Sequence, residues 1–275
     1  MPAGDAQILI RLREYCEKYD VPIENIVEVI SDLKVIPMIR GKAFEFAASV
    51  LLKTTLRDRQ WVIENPNINP QLGEHDADII VSLPPSEKKI RVECKLAKKD
   101  SFRIDGETVS FQVKCMRSRT VSDNDRATRM ADGYGIPREL LLIHPDNYRQ
   151  TDFDFVITSL GNAFWDTTTK GQYMFNGINA HFLFLKRIFP TYFDNFSTFQ
   201  KDTFRFLLYA HSKDIVVATR NRLSCRRRKC IENHTSNTCE FISNYPSVDL
   251  RAVVSDSSPW KLLENIETDF RTFLL

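Results

Sequence analysis

Residues 77–97 read ADIIVSLPPSEKKIRVECKLA, two short runs of alternating apolar residues joined by a proline-bearing turn. Side chains along a strand point alternately to opposite faces. In the second run Ile90, Val92, Cys94 and Leu96 therefore share one face, and Arg91, Glu93, Lys95 and Ala97 the other. In the first run Ala77, Ile79, Val81 and Leu83 form the packing face, leaving Asp76, Asp78, Ile80 and Ser82 opposite. With PPSEKK as the turn, the two runs predict an antiparallel hairpin. That pairing sets an aspartate beside Glu93, with Lys95 projecting from the same side. Carboxylates at close range repel, and an ammonium or a divalent cation between them is the usual means of keeping both ionised. Oxygen donors alone select a hard metal such as magnesium. A lysine beside it can orient or deprotonate a water, or stabilise charge growing on a pentacovalent phosphate.

Elsewhere the pattern is mixed. Residues 5–34 carry helical periodicity broken at Pro22, and GKAFEFAASVLLKTTL (41–56) predicts a helix with Phe44, Ala47, Ala48, Leu51 and Leu52 on one side. WVIENPNINPQLGEHD reads as loop, and SFRIDGETVSFQVKCM as a second hairpin turning at Asp105-Gly106 in a type I′ turn. ELLLIH and FDFVITSL read as short strands, the segment 117–137 as helix or ordered loop, and SPWKLLENIETDFRTFLL as a closing helix capped by Ser258. The expected class is α/β (α+β), a mixed central sheet of about five strands flanked by helices. A hydrophobic content of 43% is enough for a sizeable core.

The spacing of Asp78 from Glu93-x-Lys95, in DIIVSLPPSEKKIRVECK, resembles the signature of the PD-(D/E)xK nuclease superfamily, most closely Type II restriction endonucleases. The resemblance covers roughly residues 41–160 and includes Glu45 in GKAFEF upstream and Gln112 and Lys114 downstream. It implies a restriction-endonuclease-like core at 41–170, preceded by a helical segment at 1–40. Residues 171–275 are then an elaboration for DNA recognition or dimerisation. It further implies that Asp78 and Glu93 hold magnesium with the backbone carbonyl of Cys94, that Lys95 assists the attacking water, and that Glu45 supports the metal or its waters. Gln112 and Lys114 are auxiliary candidates. No proline precedes the aspartate, so Asp76 and Asp78 both remain candidates, Asp78 being preferred because it leads directly into the strand. The activity implied is magnesium-dependent cleavage of double-stranded DNA, with manganese able to substitute, by a homodimer in a bacterial or archaeal cytoplasm. The ends produced carry 5′-phosphate and 3′-hydroxyl groups.

The net charge of +2 supplies no global attraction to polyanions, so phosphate contacts must come from local patches. Arg117, Arg119 and Arg126 form one basic cluster, and Arg226, Arg227, Arg228 and Lys229 a second. Cys225, Cys230, His234 and Cys239 are the right residue types for a structural zinc. Their spacing departs from the zinc-knuckle pattern, and free thiols with a solvent-facing histidine are the simpler reading. No apolar run is long enough for a membrane span and no secretory leader is evident, so an intracellular protein with reduced thiols is expected. Nucleotide-binding and nucleophile-elbow motifs are absent from the sequence, which disfavours ATPase, oxidoreductase and serine hydrolase chemistry. The alternatives are a structure-specific repair or junction-resolving nuclease, and a non-catalytic DNA-binding protein.

Overall fold

The computed structural model describes residues 3–66, 77–106, 108–117, 121, 124–201, 204–218 and 238–275. The chain opens with α1 (Ala3–Lys18), α2 (Ile26–Ser31) and α3 (Ile36–Thr55), then enters β1 (Val62–Glu64), β2 (Ile79–Ser82) and β3 (Lys89–Leu96). The hairpin β4 (Arg103–Asp105) and β5 (Thr108–Gln112) leads through α4 (Asn124–Tyr134) and α5 (Arg138–Ile143) to β6 (Phe155–Ser159). A second hairpin, β7 (Trp165–Thr167) and β8 (Tyr173–Phe175), precedes α6 (Asn179–Ile188), α7 (Phe196–Lys201) and β9 (Leu207–His211). The last stretch supplies β10 (Val216–Ala218), β11 (Thr238–Ile242), β12 (Ser247–Asp249), α8 (Leu250–Val254), β13 (Trp260–Leu262) and α9 (Ile266–Leu274).

The architecture is mixed α/β. A six-stranded sheet runs β1-β2-β3-β6-β9-β13, with β3 and β6 parallel and the other neighbours antiparallel. The hairpin of residues 77–97 forms as its alternation demands, with Ile79 opposite Val92 and Val81 opposite Ile90. A parallel pair cannot be closed by a tight turn. The connection from β3 to β6 accordingly carries β4, β5, α4 and α5.

Each face of the sheet has its own core. On one face Ile79, Val81, Ile90, Val92 and Cys94 pack with Phe155, Ile157 and Tyr209 against Phe44, Ala48 and Leu52 of α3 and Ile266 and Phe270 of α9. Spacing by four residues puts Phe44, Ala48 and Leu52 in one row along α3. Burying Phe44 and Leu52 contributes about 1.5–3 kcal/mol each. On the other face Val156, Leu208, Ala210 and Trp260 meet the phenylalanine-rich segment, including Phe164, Phe182, Phe189, Phe199 and Phe206.

Several elements differ from the sequence expectation. ELLLIH is helical, since Arg138–Ile143 is α5 following Pro137, and leucine is a strong helix former. The second hairpin joins a separate three-stranded sheet, β12-β5-β4, so the six strands of the main sheet come from elsewhere. Asp105 pairs with Thr108, which makes Gly106 (φ 54°) the first loop residue, one position later than expected. WVIE contains strand β1, and the closing segment is strand β13 followed by helix α9. The Ser258 hydroxyl does accept the Trp260 N–H at 3.0 Å, ahead of a strand and not a helix. Strands β9 and β13 belong to the 171–275 stretch, so the main sheet continues past residue 170. Among the described residues no helix is long and apolar enough to cross a membrane.

Candidate active site

Asp78 immediately precedes β2, and the ladder that pairs Ile79 with Val92 brings it level with Glu93. Its Oδ2 accepts the backbone N–H of Cys94 at 2.8 Å, which ties the aspartate to the neighbouring strand. Glu93, only 6% exposed, turns its Oε1 toward the Lys95 Nζ at 2.6 Å. Tyr148, from the segment between α5 and β6, closes a triangle. Its hydroxyl donates to Glu93 Oε1 at 3.0 Å and accepts from Lys95 Nζ at 3.1 Å. Glu45 lies on α3 next to Phe44 of the buried row and is ion-paired with Lys42 one turn earlier. The cluster thus draws on a helix, a hairpin and the return to β6.

The electrostatics of this cluster are set first by burial and then by neighbouring negative charge. Burial, then the charge of Glu93, pushes the Asp78 carboxyl up to about 8, with Glu45 adding to the effect and Lys95 and the Cys94 N–H opposing it. Burial works against the Lys95 ammonium, yet Glu93, Tyr148 and Asp78 outweigh it and hold the lysine well above its ordinary value. Burial, then Glu93, raises the Tyr148 phenol, and burial, then Asp78, raises the Cys94 thiol. Lys95 is therefore a permanent ammonium and Tyr148 a permanent donor at neutral pH.

The donor set suits a hard divalent cation: carboxylate oxygens, whose mutual repulsion once Asp78 is ionised a cation would relieve. Among the described residues no three His, Cys, Asp or Glu side chains are already gathered as a ligand shell. Asp78 and Glu93 each commit one oxygen to protein hydrogen bonds, leaving Oδ1 and Oε2 as the oxygens able to bind a metal.

The remaining candidates are dispersed. Gln112 ends β5 and accepts from Lys98 Nζ at 3.0 Å, and Lys114 is exposed with its N–H on the Leu96 carbonyl at 3.0 Å. Arg117 is 5% exposed, ion-paired with Asp152 and donating to the Asn147 carbonyl at 2.7 Å. Its guanidinium is buried and ion-paired, 5.1 Å from the Tyr148 ring centroid, and is not a surface cation. Arg126 is half-buried on α4. Asp76, Arg119, Arg226, Arg227, Arg228 and Lys229 lie outside the described residues. So do Cys225, Cys230 and His234, while Cys239 is part of β11.

Tyr148 is the participant that the sequence does not announce. It lies 53 residues from Lys95, and the surrounding NYRQTDFDF carries no motif; the parallel pairing of β3 with β6 brings it in. Comparison of this chain with family models, with curated proteins and with solved structures finds no match.

Proposed function

We propose that this chain is a magnesium-dependent endodeoxyribonuclease that hydrolyses duplex DNA at specific sites, in the manner of Type II restriction endonucleases, and that its sheet is a restriction-endonuclease-like core. The observation that carries the reading is the meeting of Asp78, Glu93 and Lys95 on paired strands, where burial and then the charge of Glu93 lift the Asp78 carboxyl to about 8. A solvated charge pair on a strand would be exposed. Here Lys95 and Glu93 side chains retain only 16% and 8% of their exposure.

In this mechanism Asp78 and Glu93, with Glu45 and the Cys94 carbonyl, would hold the cation. Magnesium bound there supplies Lewis-acid polarisation of the phosphate oxygens. Lys95 remains protonated, so it acts by charge and not as a base: its ammonium stabilises negative charge that builds on phosphorus-bound oxygens as water attacks in line. Tyr148 fixes the ammonium and the Glu93 carboxylate relative to each other. As the P–O3′ bond breaks, the attacking water gives up a proton to solvent and the departing O3′ takes one up from solvent, leaving 5′-phosphate and 3′-hydroxyl ends.

A second copy of the chain is the proposed partner. Support comes from an apolar surface on the N-terminal helices, where Val27, Met38, Phe46 and Val50 are exposed, Met38 by 73%. Single apolar residues at a surface are ordinary, and a group of them on successive helices supports the proposal of an interaction face.

Plasmid digestion with magnesium tests the activity. Discrete fragments support site-specific cleavage, a smear supports a structure-specific or unspecific nuclease, and no cleavage at all removes the enzymatic reading in favour of DNA binding alone.

A further inference from the structure

The Arg40 guanidinium, on α3, is held among aromatic rings instead of carboxylates. Its Cζ lies 4.8 Å from the Trp165 ring centroid, 5.3 Å from Tyr173 and 6.0 Å from Phe204. It donates to Asn162 Oδ1 at 2.8 Å, while its Nε has no hydrogen-bond partner among the described residues. Lys99 Nζ lies over the same Tyr173 ring at 4.4 Å and bonds the Thr167 hydroxyl. Asp166 is the acid near Lys99 and accepts the Thr167 N–H at 2.6 Å.

Three other arginines, two buried and one half-buried, face carboxylates. Arg117 faces Asp152, Arg149 faces Glu240, and Arg91 faces Asp154. Arg40 has no carboxylate partner among the described residues. An aromatic face orients a cation without cancelling its charge, so it leaves the charge available to an anion. Burial lowers both the Arg40 and Lys99 pKa values, and the two cations oppose each other at Lys99. An anion between them relieves both penalties.

The position of this pair names the anion. Asn162, which binds Arg40, also donates to the carbonyl of Ala97, two residues beyond Lys95 on the same chain segment. Asp100 is tied to the Trp165 carbonyl at 2.8 Å. The planar guanidinium fork matches phosphate oxygens in pairs. We infer that Arg40 and Lys99, framed by Trp165 and Tyr173, form a second phosphate subsite that grips an uncleaved phosphodiester of a DNA strand whose neighbour lies at Asp78, Glu93 and Lys95. The identity of the ligand as DNA rests on the nuclease reading.

The test is equilibrium binding of a short duplex DNA to the full chain, in chelator and across a salt series. Each lost phosphate contact reduces the slope of log affinity against log salt by about 0.9. Arg40→Gln and Lys99→Gln should each lower the slope by about that amount and weaken binding roughly fivefold at moderate salt. Arg40→Lys should keep the slope, and Lys261→Gln, on β13, should change neither quantity. Circular dichroism monitors folding, and should Arg40→Gln not fold, Lys99→Gln decides alone. An unchanged slope in folded variants, or wild-type protein that binds no duplex, overturns the subsite. Because binding is read without metal, a protein that binds with the expected slopes but never cuts refutes the nuclease reading and leaves the subsite standing. A protein that cuts while the slopes stay unchanged does the reverse.

Discussion

Tyr148 donates its hydroxyl hydrogen to Glu93 Oε1 at 3.0 Å, across 55 residues of sequence. The same oxygen accepts from Lys95, so one phenol holds both members of the buried ion pair. Tyr148→Phe should keep the ring packing on Phe153 and lose both hydrogen bonds. Removing a buried partner of charged groups costs about 1.5–3 kcal/mol per bond. Cleavage should fall about tenfold to a hundredfold in kcat with KM nearly unchanged, because the loss concerns alignment at the reacting phosphate. A proportional rise in KM with unchanged kcat would contradict this role.

Lys95→Ala should reduce cleavage by at least about a thousandfold, on the scale of losing a group that stabilises transition-state charge. DNA binding measured in chelator should stay within a few-fold of wild type. Magnesium affinity, read by calorimetry, should rise, since the variant removes a positive charge from beside two carboxylates. Full cutting by this variant would remove Lys95 from the mechanism.

The Asp78 carboxyl sets a pH dependence of stability. Its folded value of about 8 lies above that of an unfolded aspartate, so between about pH 4 and pH 8 the native state holds a proton that the unfolded chain has released. In metal-free protein the stability associated with this group is complete below that window and declines as pH rises through it, by at most about 1.4 kcal/mol per pH unit. Thermal melts in chelator should show the decline, and Asp78→Asn should flatten it. A wild-type profile that rises across the window would contradict the assignment.

The same proton must leave before Asp78 can bind a cation as a carboxylate through Oδ1. Magnesium should therefore raise the melting temperature more at pH 8 than at pH 6. Asp78→Asn and Glu93→Gln should each abolish most of that shift, which differential scanning fluorimetry would read directly.

Charged substitutions on the exposed apolar helices, Met38→Asp with Phe46→Asp, should leave the fold intact because both side chains are exposed. Sedimentation velocity should find a dimer for the wild-type protein and a monomer for the double variant. Identical sedimentation of the two proteins would locate any self-association elsewhere.

The hairpin of residues 79–96 and its faces were legible because period-two alternation is a local signal, and Asp78, Glu93 and Lys95 were legible with it. Leu140, Leu141 and Leu142 misled because a short leucine run suits a buried strand and a helix equally, and periodicity cannot separate them. Tyr148 and Arg40 were illegible for another reason: their partners, Glu93 and Trp165, are distant in sequence and meet them only through tertiary closure. Arg117 looked like a surface cation from its neighbours, and Asp152, which buries it, lies 35 residues further on.

Strand β6 is covered on both sides and flanked on both edges, by β3 and by β9. A fragment ending at residue 170 would leave Phe155–Ser159 with one edge of bare amides and carbonyls, which invites intermolecular pairing. The excised segment 41–170 should accordingly be recovered as aggregate, and the last third of the polypeptide is as much a part of the central sheet as the hairpin that carries the acids.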